Sequence, residues 1–419
     1  MDVAIIADDL TGAADSGVQL ARSGYRTVVV FRGASIPPSN DLDAVAVDTD
    51  SRSLPAGFAA KRVVETGHAV REARIVYKKI DSTLRGPIGA ELAAALAATR
   101  RKNALIAPAF PSAGRETRGG TQLVHGEPVH ETDFSKDPIN PVSESHIPSL
   151  IAHAFGNVVV LSVTEVRNGE PVRDALENDN CIVADAESDT DLEALVRAVP
   201  DPSSILWAGS AGLARALGEV YPSARNAVPS GALVPASAVL AVVGSVNEFA
   251  REQLLRLSEE PGVATVYLDT VELLSGSYED TVGETAEAVR NALSSGWSTA
   301  LSSAAGEEVD SALRGESVSR NEVSERVTDA LAEIVAGLSG QDLFDALVLT
   351  GGDTAVQVAG ALGATGILLE GEVEAGVPVG TLVGPHPYRV VTKAGGFGGP
   401  DILHDAFRAL AEPRENGGI

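Results

Sequence analysis

The chain has 419 residues, of which 44% are hydrophobic and only 4% aromatic, and its 58 acidic side chains outnumber its 32 basic ones. That length predicts more than one domain, and the formal charge of −26 argues against nucleic acid or an anionic membrane as a partner. A single cysteine, the lack of an apolar stretch long enough to span a membrane, and a start without a basic leader predict a cytoplasmic protein free of disulfides.

The first half of the chain alternates short apolar runs with longer segments of helical period, such as 87–100. The runs predict strands that are apolar on both faces, which is typical of parallel sheets covered by helices. They are residues 3–7, 27–31, 44–48, 74–78, 104–107, 158–162 and 204–209. Alternating strands and helices predict a doubly wound α/β domain over residues 1–225.

Two carboxylates, Asp8 and Asp9, follow the first predicted strand in the segment ADDLTGAAD (7–15). Ligands of such sheets bind beyond the carboxyl ends of the strands. Adjacent carboxylates there indicate a metal or polyol site, or a catalytic base. The structural alternative is that Asp9 or Thr11 caps the next helix and Asp8 is a surface acid.

Charged and hydroxyl side chains crowd the exit of the fourth predicted strand, in KKIDSTLRGPIGAE (78–91). Lys79 and Arg85 surround the carboxylate of Asp81 and the hydroxyl of Ser82. This combination suits a small hydroxylated acid, because arginine grips a carboxylate in bidentate fashion and Asp81 accepts hydrogen bonds from hydroxyls. The alternative is an ion-pair cluster that only caps the following helix.

The stretch 108–145 is long and poorly periodic, and loops of this length in compact domains usually serve a function. It contains His125 and His130, but no further histidine or cysteine at the spacing of a zinc site. Arg115 and Arg118 are better suited to contact an anion.

A compositional break at 221–237, rich in proline, serine and alanine, predicts an interdomain linker at 226–237. The alternation of strands and helices then restarts over residues 238–412, with strands predicted at 239–245, 264–268, 297–303, 346–350 and 366–370. The prediction is therefore two α/β domains with mainly parallel sheets flanked by helices, and with ligand sites at the interdomain cleft.

Glycine-bearing strand exits recur in the second domain, at GSVNEF (244–249), TGGDTAVQ (350–357) and KAGGFGGPD (393–401). Glycine lets backbone N–H groups approach an anion, and such groups at a helix N-terminus form a phosphate nest. A tight turn explains any one of these segments, but all of them together predict a nucleotide phosphate site. The chain has no Gly-Lys dipeptide, and no GxGxxG sequence follows a strand, so neither a P-loop nor a dinucleotide fingerprint is present.

Taken together, these motifs resemble the four-carbon acid sugar kinase family. The matching segments are ADDLTGAAD, KKIDSTLRGPIGAE, APAFPSAGRETRGG, HGEPVHETDFSKDP, LTGGDTA and KAGGFGGPDIL, which run in the family's order over nearly the whole chain. The resemblance implies an N-terminal domain that binds the acid sugar and a C-terminal domain that binds ATP with Mg²⁺. It implies phosphorylation of the terminal hydroxyl of threonate, erythronate or 3-oxo-tetronate, and leaves open which of them is used.

The resemblance also implies roles for individual residues. The substrate side comprises Asp8, Asp9, Lys79, Asp81, Ser82 and Arg85, and the nucleotide side comprises Ser245, Gly351, Gly352, Asp353, Thr354, Gly395 and Gly396. Asp9 and Asp353 are the candidate catalytic residues, with Asp8 as a further candidate base and Asp353 as a candidate contact to Mg²⁺. The chain departs from the family's pattern at GSVNEFA (244–250), where Asn247 and Ala250 replace hydroxyl residues.

Other classes of protein remain compatible with the same strand exits. An NAD-dependent sugar-acid dehydrogenase or an aldolase would share the acid-binding cluster, and a non-catalytic sensor would bind a sugar acid without turnover. The expected partners are a sugar acid and ATP, without nucleic acid or membrane, and a homodimer is one assembly that the sequence allows.

Overall fold

The computed structural model describes residues 1–38, 41–137, 140–178, 180–223, 235–244, 248–303 and 320–411. The chain divides into two compact units, Met1–Val228 (unit 1) and Pro229–Ile419 (unit 2). Most of the segment predicted as a linker lies outside the described residues. No helix within the described ranges is long and apolar enough to cross a membrane.

Unit 1 is an α/β unit, as the sequence predicts. Its strands are Val3–Ala7 (β1), Thr27–Val30 (β2), Ala44–Asp48 (β3), Ile75–Lys79 (β4), Ala104–Ala107 (β5), Arg115–Arg118 (β6), Thr121–Val124 (β7), Glu127–Pro128 (β8), Val159–Leu161 (β9), Cys181–Ala184 (β10) and Leu206–Gly209 (β11). Its helices are Leu10–Arg22 (α1), Ala56–Val70 (α2), Ile88–Thr99 (α3), Ile147–Phe155 (α4), Val163–Asn168 (α5), Glu170–Asn178 (α6), Asp189–Ala198 (α7) and Ala211–Val220 (α8).

The main sheet of unit 1 is parallel, in the order β2-β3-β1-β4-β11-β5-β10-β9. Strand β1, with the sequence VAIIA, is buried along its whole length, which agrees with a strand covered on both faces. After β1 the chain builds β2 and β3 on one side of it and β4 on the other. The exits of β1 and β4 therefore flank a switch point, where α/β sheets bind ligands.

The stretch 108–145 is not the structureless loop that the sequence predicts. It contains the antiparallel sheet β6-β7-β8. Gly119 and Gly120 connect β6 to β7 with φ of 55° and 73°, the conformation that a two-residue hairpin turn requires. Asp185 fixes this turn, because its carboxylate accepts the N–H groups of Gly119 and Gly120 at 2.6 and 2.9 Å.

Unit 2 is also an α/β unit. Its strands are Val239–Val243 (β12), Val263–Leu268 (β13), Ser298–Ser303 (β14), Ala346–Thr350 (β15), Gly366–Glu374 (β16), Val377–Val383 (β17) and Arg389–Lys393 (β18). Its helices are Glu248–Ser258 (α9), Thr270–Ser275 (α10), Tyr278–Ser294 (α11), Arg320–Leu338 (α12), Gly352–Ala361 (α13) and Ile402–Ala411 (α14).

The strand order of unit 2 is β13-β14-β12-β15-β18-β17-β16. In this order, the neighbouring strands β13, β14, β12, β15 and β18 are parallel to one another. Strand β17 pairs antiparallel with β18 on one side and with β16 on the other. Apolar side chains of α9 and α14 pack on β12, β15 and β18 to form a core. The prediction of mainly parallel sheets is confirmed, and the switch point of this unit lies between the exits of β12 and β15.

Candidate functional site

The carboxyl edge of unit 1, where β1, β3 and β4 end, brings two carboxylates onto one arginine. Asp9 is the N-cap of α1, and its Oδ1 accepts the N–H of Gly12 at 2.8 Å. The guanidinium of Arg52 donates to Asp8 Oδ2 at 2.6 Å and to both oxygens of Asp9 at 2.6 and 2.7 Å. Asp8 Oδ1 is buried and has no hydrogen-bond partner among the described residues.

Arg52, which joins the first strand exit to the third, is a residue of this edge that the sequence did not predict. It lies in SRSLP, just after β3, and β3 is paired with β1 so that Ala7 is opposite Asp48. The signal was present in the sequence, since Arg52 follows a predicted parallel strand as closely as Asp9 or Arg85 does. The pairing of β3 with β1 was the missing information.

The charges at this edge push the pKa values of neighbouring carboxyls apart. Burial raises the pKa of Asp9, although Arg52 opposes that effect. Burial acts on Asp8 as well, but Arg52 and Lys79 outweigh it and hold the pKa of Asp8 below its ordinary value. Two carboxyls whose environments separate their pKa values in this way are suited to different chemical roles.

The two lysines that end β4 have different surroundings. Lys78 is fully buried, and its Nζ lies 2.9 Å from Glu91 Oε2. Lys79 points toward the start of α1, because a Cβ placed on Gly12 would lie only 2.7 Å from its Nζ and 2.6 Å from Asp9 Oδ1. Gly12 therefore allows Lys79 and Asp9 to approach the first turn of α1 closely.

Arg85 is joined to two carboxylates. Its Nε and Nη2 donate to the oxygens of Asp81 at 2.6 and 3.3 Å, and its Nη1 donates to Asp137 at 3.2 Å. Burial would raise the pKa of Asp81, but Arg52 and Arg85 outweigh burial and hold it well below its usual range. Ser82 is half-buried, and its carbonyl accepts the side-chain amide of Gln122 at 2.8 Å. The six predicted substrate-side residues therefore all lie at the exits of β1 and β4.

A further arginine, Arg115 on β6, faces this cluster. Its Nη1 donates to the carbonyl of Ala113, and its Nε is buried without a partner among the described residues. Burial lowers the pKa of Arg115, while the negative charge of Asp81 opposes that shift. Arg118 on the same strand is exposed and paired with Glu116 and Glu187 at 2.7 and 2.9 Å.

A cavity of about 310 Å³ opens beside Arg52, and its volume exceeds the requirement of a small organic acid. Its lining includes Arg52, Leu84, Gly86, Asn140 and Glu144. It lies between the loops that follow β3 and β4 and the segment 140–150, and none of the six predicted substrate-side residues lines it.

In unit 2, the segment GGDT begins helix α13 at the exit of β15. Gly351 is the N-cap with φ of 101°, a backbone conformation that favours glycine. A Cβ on Gly352 would meet nothing within 4 Å, so the first turn of α13 is open on that side. Asp353 is exposed, whereas Thr354 is buried, and a Cβ on Gly244 would lie only 2.1 Å from Thr354 Oγ1. The exits of β12 and β15 are therefore in close contact at the switch point.

The third glycine-bearing segment follows β18, the neighbour of β15. The N–H of Gly351 donates to the carbonyl of Lys393 at 2.9 Å, and Lys393 Nζ donates to the carbonyl of Gly395 at 2.9 Å. Gly395 is half-buried and Gly396 is exposed. The structure thus brings GGDT and the predicted glycines of 393–401 to one edge.

The segment GSVNEFA (244–250), which belongs to the predicted nucleotide side, is described only in part. Ser245 and Asn247 lie outside the described residues. Ala250, where the chain departs from the family's pattern, is fully buried in the core between α9 and the sheet. A small apolar residue is therefore suited to that position.

The residues at this edge fit a nucleotide phosphate. The hydroxyls of Thr350 and Ser303, at the ends of β15 and β14, are buried without hydrogen-bond partners among the described residues. Both hydroxyls lie at the carboxyl ends of parallel strands, at the edge where the open first turn of α13 also lies. N–H groups at a helix start attract anions, so this edge offers donors that still lack acceptors.

Mg²⁺ fits the same edge only together with phosphate oxygens. Within the described ranges, no group of three or more His, Cys, Asp or Glu side chains could hold a metal ion. Mg²⁺ is commonly bound by one or two carboxylates, water and substrate phosphates rather than by a protein cage. Asp353, exposed in the first turn of α13, is the carboxylate there that could serve such a site.

Comparison with known proteins gives matches over nearly the whole chain. A sugar-binding N-terminal domain model matches residues 3–217, and a nucleotide-binding C-terminal domain model matches residues 240–403. D-threonate kinases of Salmonella typhimurium and Bordetella bronchiseptica are 37% and 36% identical, with 98% of this chain covered in both cases and 99% and 98% of the relatives. A 3-oxo-tetronate kinase of Methylobacterium radiotolerans is 33% identical, with 97% of this chain and 98% of the relative covered.

Solved structures share the fold. A crystal structure from Salmonella typhimurium LT2 matches with a TM-score of 0.81 and 24% identity over 98% of this chain and 99% of the other. A Haemophilus influenzae protein matches with a TM-score of 0.77 and 22% identity over 96% and 98%. At these identities the likeness supports the two-unit α/β architecture alone.

Proposed function

The chain belongs to the four-carbon acid sugar kinase family, and from that membership we propose that it transfers the γ-phosphoryl group of ATP to the terminal hydroxyl of D-threonate. One observation carries the choice of substrate. Three relatives named D-threonate kinase are 34–37% identical to this chain over almost its full length, against 33% for a 3-oxo-tetronate kinase and 30% for a D-erythronate kinase.

Unit 1 holds the sugar acid in this proposal. Lys79, Arg85 and Arg115 supply positive charge for the substrate carboxylate, and a guanidinium is suited to grip it with two hydrogen bonds. Asp81 and Ser82 contact the hydroxyls. Support comes from the convergence of these side chains at the carboxyl edge, where Arg85 contacts Asp81 and the charges of Lys79 and Arg85 act on Asp81.

Asp9 is the proposed general base. Its raised pKa makes it a better proton acceptor than Asp8, which stays ionised beside Arg52. The hydroxyl oxygen of the substrate gives its proton to Asp9 and forms the new bond to phosphorus, and ADP leaves. Gly12 allows Asp9 to sit at the start of α1, where the helix dipole helps to hold its charge before the proton arrives.

Unit 2 holds ATP in this proposal. The N–H groups of Gly352 and Thr354 face the phosphates together with Gly395 and Gly396, Gly351 supplies the turn that precedes the helix, and Ser245 belongs to the same set. Asp353 would hold Mg²⁺ directly or through water. Mg²⁺ neutralises phosphate charge when it is bound, and the remaining demand of phosphoryl transfer is alignment, which the fixed backbone donors provide.

A panel of four-carbon acids tests the proposal. Release of ADP is measured with D- and L-threonate, D- and L-erythronate and 3-oxo-tetronates, with a reaction that lacks any acid as the control. We expect kcat/KM for D-threonate to exceed that for every other acid by about 10-fold or more, as expected for pockets that pair hydroxyls with buried polar groups. A higher kcat/KM for a different acid would overturn the choice of D-threonate, and ADP release with none of them would overturn the function.

A further inference from the structure

Lys393 is the only lysine between residues 229 and 419, and it is almost completely buried. It is the last residue of β18, with 3% of its surface exposed. Its Nζ donates to the carbonyl of Gly395 at 2.9 Å. An ammonium has three donors, and within the described ranges no carboxylate lies within ion-pair distance of it.

The surroundings of Lys393 supply little negative charge. The flanking strands β15 and β17 have the sequences ALVLT and VPVGTLV, without a charged residue. Of the acidic residues in the segments that follow β15 and β18, Asp353 is exposed, and Asp401 is paired with Arg256 at 2.9 Å. Burial accordingly lowers the pKa of Lys393 to about 8. A buried cation without an anionic partner destabilises a fold. The buried ammonium of Lys393 is therefore best explained by an anionic ligand that pairs with it.

Backbone geometry places Lys393 beside GGDT. Thr350 is opposite Lys393 in the pairing of β15 with β18, and the Gly351 N–H donates to the Lys393 carbonyl at 2.9 Å. The side chain bonds to Gly395, in the loop that the proposed nucleotide site shares. A lysine acts on phosphate as a compact point charge and can approach it from any strand.

We propose that Lys393 contacts the phosphate groups of the bound nucleotide and is the buried positive charge of that site. The proposal rests on the proposed function, which assigns the nucleotide to unit 2. The chain lacks a P-loop and its lysine, and in this proposal Lys393 at the end of β18 is the phosphate-binding lysine. The phosphates supply the counter-charge that the folded unit itself does not.

Binding measured without turnover tests this role. Calorimetry with Mg²⁺–ADP and with adenosine compares the wild type, Lys393→Met and Lys393→Arg, with Arg256→Met as a matched control because Arg256 is a half-exposed cation of the same unit. We expect Lys393→Met to weaken ADP binding by about 10-fold to 100-fold, the range of a charge-assisted contact. Adenosine binding should be unchanged, Lys393→Arg should fall in between, and Arg256→Met should bind ADP as the wild type does.

A second readout needs no variant. Phosphate next to Lys393 should raise its pKa, so the wild type should take up a fraction of a proton per ADP bound at pH 8, as measured by calorimetry in two buffers of different ionisation enthalpy. Adenosine should cause no uptake.

The outcomes separate the two proposals. Normal ADP binding by Lys393→Met, or binding by the wild type without proton uptake, would overturn the role of Lys393 alone. A wild type that binds no adenine nucleotide would overturn the proposed function itself. If Lys393→Met does not fold, the proton uptake of the wild type still decides the role.

Discussion

At the carboxyl edge of unit 1, two arginines already have carboxylate partners. Arg52 is joined to Asp8 and Asp9, and Arg85 is joined to Asp81 and Asp137. A substrate carboxylate therefore meets a network whose charges are partly balanced. The substrate carboxylate is expected to bind where it can replace a weakly held protein carboxylate. One such place is the hydrogen bond from Arg85 Nη1 to Asp137, which is 3.2 Å long.

Arg85→Ala should raise KM for the sugar acid by about 10-fold to 100-fold, because a charge-assisted contact contributes roughly 1.5–3 kcal/mol. KM for ATP should change little. Arg85→Lys should also be impaired, since a point ammonium cannot reproduce the planar fork. Steady-state kinetics with each substrate varied in turn measures both constants.

The matched control is Arg118→Ala, which removes an exposed arginine that is paired with Glu116 and Glu187. It should leave both KM values near those of the wild type. Equal increases of the two KM values in Arg85→Ala would contradict the assignment of Arg85 to the sugar acid.

Asp48, at the end of β3, should make the free energy of unfolding depend on pH. It is almost fully buried, and mainly this burial raises its pKa to about 7, with Asp9, Asp50 and Asp8 adding to the effect. The native state therefore holds a proton that the unfolded chain releases near pH 4. The stability that this proton contributes is fully present below about pH 4 and is lost as the pH rises through about 7.

Asp48→Asn should remove this dependence, because asparagine is neutral at every pH and keeps an oxygen for the N–H of Asp50, which lies 2.8 Å away. Relative to the wild type, the free energy of unfolding of the variant should rise between pH 4 and pH 8 by up to about 4 kcal/mol. Denaturant unfolding at several pH values measures it. Asp133→Asn, on the surface of the same unit, is the control, and a difference between Asp48→Asn and wild type that is constant with pH would refute the account.

At the scale of elements, the first turn of α13 allows the clearest test of the proposed nucleotide site. Gly352→Val should abolish or strongly weaken nucleotide binding, because the added side chain occupies the open space in front of the helix start. The fold should survive, since no atom lies within 4 Å of that Cβ and the positive φ belongs to Gly351 instead. ADP calorimetry and the melting temperature test the two halves of this prediction.

Gly360→Val is the matched control for Gly352→Val. Gly360 lies in the same helix, is exposed and has equal open space around its Cβ. The two variants should both keep a stability close to that of the wild type, since valine is no worse than glycine in a helix and neither added side chain meets a neighbour. Only Gly352→Val should lose ADP binding, and comparable ADP affinities in the two variants would mean that the phosphates lie elsewhere.

Sequence alone predicts the elements that bury continuous apolar runs. The runs VAIIA and ALVLT are strands at the predicted residues because few conformations bury both faces of such segments. The short strand Cys181–Ala184 was missed because its four residues give no detectable period. The hairpin of β6 and β7 was also missed, although its Gly119-Gly120 turn was a usable signal.

For the site, sequence predicts which residues follow each strand but not which strands are neighbours. Asp8 and Arg85 could be assigned to one edge because parallel strands share a direction. Arg52 and Asp48 could not, because their importance comes from the pairing of β3 with β1. Lys393 was quoted within its motif, but its burial depends on the strands that flank β18, which periodicity does not show.

At the scale of the whole molecule, both units begin with the same strand order. In each, the first strand lies between the third and the fourth, and the second is at the far side of the third. Each unit therefore has a switch point next to its first strand, and the predicted substrate-side residues of unit 1 and the segment GGDT of unit 2 lie at these points. In a chain with a net charge of −26, binding two anionic ligands requires cations concentrated at these two edges.

The central claim is that the terminal hydroxyl of a four-carbon sugar acid receives the phosphoryl group of ATP. Phosphorus NMR of the product formed from D-threonate, Mg²⁺ and ATP tests it most directly, because the couplings of the phosphorus identify the carbon that bears the ester. We expect a single phosphomonoester coupled to the two protons of the terminal CH₂ group, formed in equal amount to ADP. An ester coupled to a single CH proton, an acyl phosphate, or ADP formed only with inorganic phosphate would contradict it.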